Sequence, residues 1–219
     1  ELSGLLIFYS SRRNKLITLD EYVEMMGEDQ KNIYYACAES VEKADKLPHC
    51  EAIKEKGYEI LYLTEDIDEF VIKVLMQYKD KQFISVSESG EEVKSEASEE
   101  NKELFAFVKD ALEGKVADVV ASDKLKTHPV CISTRGGISL EMEKVLAKMP
   151  GDQNVKAERV LEINTAHSVF EKINSLYEKD KDKLKKYASV LYNGALLIEG
   201  MEIDDPVAFS NDICDLIGE

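Results

Sequence analysis

The chain has 219 residues, 28 Lys plus Arg against 44 Asp plus Glu for a formal charge of −16, and 44% hydrophobic residues. That length and apolar fraction suffice for one large or two small cores, whereas so negative a surface repels phosphate backbones, whose binding rests on neutralisation by Lys and Arg. No run approaches the ~20 apolar residues of a spanning helix and Glu1-Leu2-Ser3 shows no basic, cleavable signal, so a cytoplasmic chain with neither nucleic-acid nor membrane partners is expected. In chain order, the apolar run at residues 5–9 reads as a strand buried on both faces. Thr18 and Glu21 have capping-box spacing and start a helix through Tyr22 and Met26 that Gly27 stops. Residues 33–36 read as a strand. A helical stretch from Ser40 is broken at Pro48 and resumes to Lys56, with Gly57 as its left-handed end, and residues 58–63 form the next strand. Asp66 is expected to cap a helix over 67–78, and 83–86 close this part as a strand. Repeated βα units imply a small α/β domain over residues 1–87, a mostly parallel sheet with helices on both faces.

Residues 88–103 break the pattern. Seven Glu and two Lys stand among Ser, Gly and Asn, with only Val93 and Ala97 apolar, which reads as an acidic connector too polar to order itself. Residues 104–219 alternate differently: a helix at 104–112, strands at 116–120 and 129–133, a helix at 140–149, a strand at 159–163, then helices at 167–177, 184–199 and 207–217. This is an α+β domain ending in a helical set.

The terminal helices carry the sharpest pattern. Leu184, Leu191 and Ile198 recur every seven residues beside Tyr187, Ala188 and Ala195, and Asn193-Gly194-Ala195 supplies small residues. Gly200 can end that helix, and Asp205-Pro206 starts the next, whose stripe is Phe209, Ile213, Leu216 and Ile217. The stripes either bury against the domain's own sheet or form a symmetric four-helix seam between two copies. A second stripe, Ile138, Leu140, Met142, Val145, Leu146 and Met149, follows Gly136-Gly137. It reads either as core or as an adaptable apolar surface for partners.

Chemistry-bearing motifs are scarce. The sequence has no G-x-S-x-G, no G-x-x-x-x-G-K-[ST], no G-x-G-x-x-G and no H-E-x-x-H, so no catalytic, cofactor-binding or metal-ligating residue is assigned. His49, His128 and His167 lack metal-ligand spacing with Cys37, Cys50, Cys131 and Cys214, which read as reduced thiols. Asp66, Asp68 and Glu69 read as a solvated helix start rather than an acid/base pair. Residues 178–186, with five Lys and three acids, read as a solvated helix entry.

Several strings resemble a known family. Leu19-Asp20-Glu21-Tyr22-Val23-Glu24-Met25-Met26, Gln30-Lys31-Asn32-Ile33-Tyr34-Tyr35 and Tyr62-Leu63-Thr64-Glu65-Asp66-Ile67-Asp68-Glu69-Phe70 are similar to the late middle domain of the ninety-kilodalton heat-shock chaperones, in the bacterial HtpG branch. Glu162-Ile163-Asn164 with His167, Leu191-Tyr192-Asn193-Gly194-Ala195-Leu196-Leu197-Ile198-Glu199-Gly200 and Asp205-Pro206 resemble the C-terminal dimerisation domain of that family. The resemblance implies a fragment of an ATP-driven chaperone that assists folding under stress. ATP and Mg would bind N-terminal to this chain, which by itself would not hydrolyse ATP, and Arg12 and Arg13 are not assigned to the family's ATPase arginine. It implies a homodimer interface at Leu184, Tyr187, Ala188, Leu191, Ala195, Ile198, Phe209, Ile213, Leu216 and Ile217. It also implies contacts with non-native client proteins at Glu69, Phe70, Ile138, Leu140, Met142, Val145, Leu146 and Met149, with Phe70 standing where some bacterial relatives carry Trp. The ending Gly218-Glu219 lacks the Met-Glu-Glu-Val-Asp tail of eukaryotic relatives, so cochaperone recruitment through it is not expected. The competing readings are a dimerisation module without client contact and a small-ligand-binding α/β subunit.

Overall fold

A computed structural model describes residues 3–89, 101–150 and 155–218. They divide into two units, Glu1–Glu88 with Ser139–Lys156, and Ser89–Ile138 with Ala157–Glu219. Most of the expected acidic connector, residues 90–100, lies outside the described residues. The segment Ser139–Lys156, expected with residues 104–219, groups with the first unit.

The first unit is organised by strands whose two faces are both apolar. Strands β1 (Ile7–Ser10), β2 (Leu16–Thr18), β3 (Ile33–Cys37), β4 (Ile60–Leu63), β5 (Gln77–Tyr78) and β6 (Lys81–Ser85) form one sheet in the order β2-β1-β4-β3-β6-β5. On one face Tyr35, Leu61 and Leu63 cluster with Leu19 and Tyr22 of α1 (Leu19–Glu24) and Ile72 of α4 (Asp68–Leu75). On the other, Ala36, Ile60 and Tyr62 cluster with Ala44 of α2 (Val41–Asp45) and with Leu47 and Cys50, which lead into α3 (Glu51–Glu55). The period-2 alternation of β3 and β4 therefore feeds two cores at once. The buried Tyr22 hydroxyl donates to the Glu59 carbonyl at 2.6 Å and accepts from Gln30 Nε2 and the Tyr34 amide, tying α1 to the sheet.

The expected mostly parallel sheet is corrected to a mixed one. Only β3–β4 and β3–β6 run parallel, while β1–β2, β1–β4 and β5–β6 are antiparallel. Two of the three antiparallel pairs are hairpins that the hydrophobic pattern does not reveal. The β1–β2 tip turns at Asn14 (φ +53), and β2, three residues long, falls where the sequence reading places no element. Met76 (φ +61) stops α4 at Leu75, and Lys79 and Asp80, both at positive φ, turn β5 into β6. That is the backbone of a tight two-residue hairpin without the usual Gly.

Two further local expectations are corrected. Residues 5–9 split into a 3₁₀ turn, Ser3–Leu5, and a strand that alternates, with Phe8 and Ser10 buried and Ile7 exposed. Asp66 is not the cap of α4: the helix starts at Asp68, whose carboxylate accepts the Glu65 amide. The Thr18–Glu21 capping box is present in full, and Gly57 is left-handed (φ +72).

In the second unit, β7 (Asp118–Ala121), β9 (Glu158–Ile163) and β8 (Val130–Arg135) form a three-stranded sheet, β7 parallel and β8 antiparallel to the central β9. Helix α5 (Lys102–Ala111) packs on β7. Helix α8 (Lys181–Ile198) packs on β8 and touches α5, α7 (Ser168–Lys179) and α9 (Pro206–Ile217). Helix α6 (Leu140–Lys148) lies in sequence between β8 and β9 but belongs to the first unit. Glu162, fully buried mid-strand, is satisfied by the hydroxyls of Ser122 and Ser133 and by Lys124 Nζ at 3.4 Å, as a buried charge must be.

Candidate functional site

Two regions hold the residues that the sequence singles out. In the first unit, Glu69 and Phe70 stand in the first turn of α4, which follows the carboxyl end of β4. Helix α6 starts at Ser139, whose Oγ accepts the Met142 amide at 3.0 Å. The same hydroxyl donates its proton to Glu69 Oε2, and the Tyr35 hydroxyl lies 3.5 Å from Glu69 Oε1. Glu69 is only 4% exposed, so the expected solvated helix start is corrected at this residue. Its burial pushes the carboxyl above the usual range, against the opposing pull of the Ser139 hydrogen bond and the Lys73 charge. A crevice of about 40 Å³ beside it is lined by Thr64, Asp66, Phe70, Met142, Val145 and Lys148, among others, room for about one water.

The expected client residues do not share one exposed face. Leu140 and Met142 are buried with Glu69, while Phe70, Ile138, Val145 and Leu146 are half-buried. Met149 is 45% exposed. The buried members have no surface to offer while α6 is docked, because its N-terminal turn is what packs on the unit. Phe70 also lines an open apolar cleft of about 520 Å³ with Leu6, Ile67, Val71, Val74 and Leu75. Ile67 and Val74, both strongly exposed, escape the sequence reading. Their signal was the spacing 67, 70, 71, 74, one helical face. Ser139 and Tyr35 also escape it, since a hydrogen bond between elements distant in sequence leaves no periodic trace.

The second region is the terminal helix pair. Helix α8 turns its stripe two ways. Leu184, Ala188 and Ala195 are at most 2% exposed, covered within the chain. Tyr187 and Leu191 are half-buried, and Ile198 and the neighbouring Leu197 are exposed. Helix α9 starts as expected, the Asp205 carboxylate accepting the Ala208 amide at 2.8 Å with Pro206 behind it, and Gly200 (φ +68) follows the end of α8. None of the twelve residues of α9 is buried. Phe209, Ile213 and Leu216 are half-buried, Val207 is 70% exposed and Ile217 79%.

Neither region has the makings of a metal centre: among the described residues no group of three or more His, Cys, Asp or Glu is placed to hold an ion. His167 instead caps α7, its Nδ1 accepting the Val169 amide.

The sequence profile described as Hsp90 protein matches residues 1–219. This chain belongs to the Hsp90 family. It is 59% identical over 222 aligned residues to the chaperone protein HtpG of Clostridium acetobutylicum, covering 99% of the chain and 36% of that protein. It is 55% identical to the chaperone protein HtpG of Clostridium perfringens, with the same coverage. The same identity holds for the HtpG of Halalkalibacterium halodurans, over 98% of the chain and 35% of that protein. The chain thus spans just over a third of the length of these Hsp90 relatives. No described helix is long and apolar enough to cross a membrane.

Proposed function

We propose that this chain is the late middle-domain and C-terminal dimerisation part of a cytoplasmic, ATP-driven chaperone, pairing with a second copy of itself through α8 and α9 and offering apolar surface to non-native proteins. ATP and Mg would be held by the part of the parent that lies N-terminal to it. The observation that carries the pairing is α9, an apolar helix with no buried residue in the single chain. A hydrophobic helix gains little from being only half covered, and each Val, Leu, Ile or Phe brought fully under cover contributes about 1.5–3 kcal/mol. A twofold arrangement of two helices per copy would cover Leu191, Ile198, Phe209, Ile213, Leu216 and Ile217 on both sides at once. Joining two protomers at this end raises the effective concentration of the distant ATPase domains for each other.

Solution mass across a concentration series tests the pairing. The parent chain is expected to be a dimer, and Ile217→Glu and Leu191→Glu to be monomers that retain the parent's circular dichroism, since a charge in the seam has no partner. Dimers that survive both changes would remove this interface. The client reading rests on Phe70, Val145, Leu146 and Met149, the members with surface to offer. Leu146→Ser with Met149→Ser should weaken suppression of the aggregation of reduced insulin while leaving the mass unchanged. Unaltered suppression would favour a dimerisation module without client contact.

A further inference from the structure

The residues expected to meet clients include three that the folded unit hides, Glu69, Leu140 and Met142, and the way they are hidden is specific. The Ser139 hydroxyl does two jobs: it accepts the Met142 amide, which starts α6, and it donates to Glu69, which ties that start to α4 across 70 residues of sequence. A carboxylate receiving a hydroxyl in a buried site makes a strong, directional bond. The apolar part of the attachment is slight. Among the apolar residues of α6 only Leu140 and Met142 are buried, and Val145 and Leu146 are half-covered. An element with so little buried apolar surface sits at the low end of local stability. The residues just before it, Gly136 (φ +77) and Gly137 (φ +83), hold consecutive left-handed conformations that side-chain-bearing residues rarely adopt, so the backbone entering α6 has unusual rotational freedom.

We propose that α6 is a releasable arm: the Glu69–Ser139 hydrogen bond is its catch, Gly136–Gly137 its hinge, and the docked state keeps Leu140 and Met142 shut away until the arm opens to a non-native, apolar polypeptide. The proposal deepens the client reading above and rests on it for the occupant. The catch itself does not depend on that reading. Opening requires a minor population in which Met142 and Leu140 are solvated, and a client that binds only that state shifts the equilibrium towards it.

Amide hydrogen exchange of the 219-residue chain tests the catch, with aggregation of reduced insulin as the second readout. Glu69→Ala and Ser139→Ala should each speed exchange across residues 141–148 by roughly tenfold or more, the loss expected for a charge-assisted bond. Ser139→Ala also removes the helix cap, so Glu69→Ala, which leaves the cap intact, carries the assignment. Glu69→Gln, whose amide oxygen still accepts from Ser139, should exchange within a few-fold of the parent chain. In the opened variants, suppression of insulin aggregation should require several-fold less chain. Unchanged exchange in Glu69→Ala, or equally fast exchange in Glu69→Gln, overturns the catch. Faster exchange with no gain in suppression upholds the catch and removes this face from the client reading.

Discussion

Helices α7 and α9 are both twelve residues long and both open on a side-chain cap, yet α7 buries Phe170, Ile173 and Leu176 while α9 buries nothing. The difference does not lie in apolar content, because α9 carries Val207, Phe209, Ile213, Leu216 and Ile217. It lies in what each helix meets. Helix α7 packs beside α8, and Phe170 stands in a tilted ring pair with Phe105 of α5, centroids 6.2 Å apart. Among the described residues α8 is the element that packs extensively on α9, and Val207 and Ile217 stay exposed. Propensity and caps make a helix in either place, but packing decides whether it is stable there. One helix is anchored within its own chain and the other stays without a buried residue there.

The largest expected effect separates the two directly. Ile173→Ala, at 1% exposure, should cost about 2–5 kcal/mol in urea unfolding, the usual range for emptying a buried aliphatic site. Ile217→Ala, at 79% exposure, should change stability by no more than about 0.5 kcal/mol when the chain is dilute enough to be monomeric. Equal costs at that dilution would mean that α9 is anchored within the protomer and that the contrast is false. A smaller effect is expected from concentration alone. Raising the chain concentration a hundredfold should raise the Tm of the parent and leave that of Ile217→Glu in place, because only species that associate when folded gain stability by mass action. A Tm that does not move in the parent would break the comparison from the other side.

Features encoded within a few adjacent residues were legible in the sequence: the Thr18–Glu21 box, Gly57, Gly200, the Asp205-Pro206 start, and β3 and β4 as strands of a sheet covered on both faces. Features set by positive φ at residues with ordinary side chains were not. Asn14 and Asp80 belong to types that tolerate the left-handed region, but Met76 and Lys79 do not announce it, and without flanking alternation neither turn stands out, so the pattern alone points to a more parallel sheet than the one found. For the candidate surfaces, periodicity located the stripes but not which side of each stripe was already occupied. Leu184 and Leu191 share one heptad position, and yet the first is fully buried and the second only half. The division follows from the packing of α8 against β8, α5 and α7, which no window of sequence contains. The burial of Glu69 leaves no local trace for the same reason, since its partner lies 70 residues away.

The smallest expected effect is at the caps, and it sharpens the contrast most finely. Removing the acceptor in Asp205→Ala frees the Ala208 amide, and losing such a cap typically costs about 1 kcal/mol. In α9 no buried side chain holds the first turn in place, so the loss should appear locally, as faster exchange over residues 206–209 and a dimer constant weakened up to about tenfold, with little change in the unfolding of the rest. His167→Ala removes the comparable acceptor from α7. There Phe170, one turn on and 8% exposed, keeps the turn folded until the unit itself unfolds, so the cost should enter the global stability and leave local exchange unchanged. Caps that behave alike in both helices would show that α9 shares the cooperative unit of α7, and the reason for giving it a second copy to lean on would be gone.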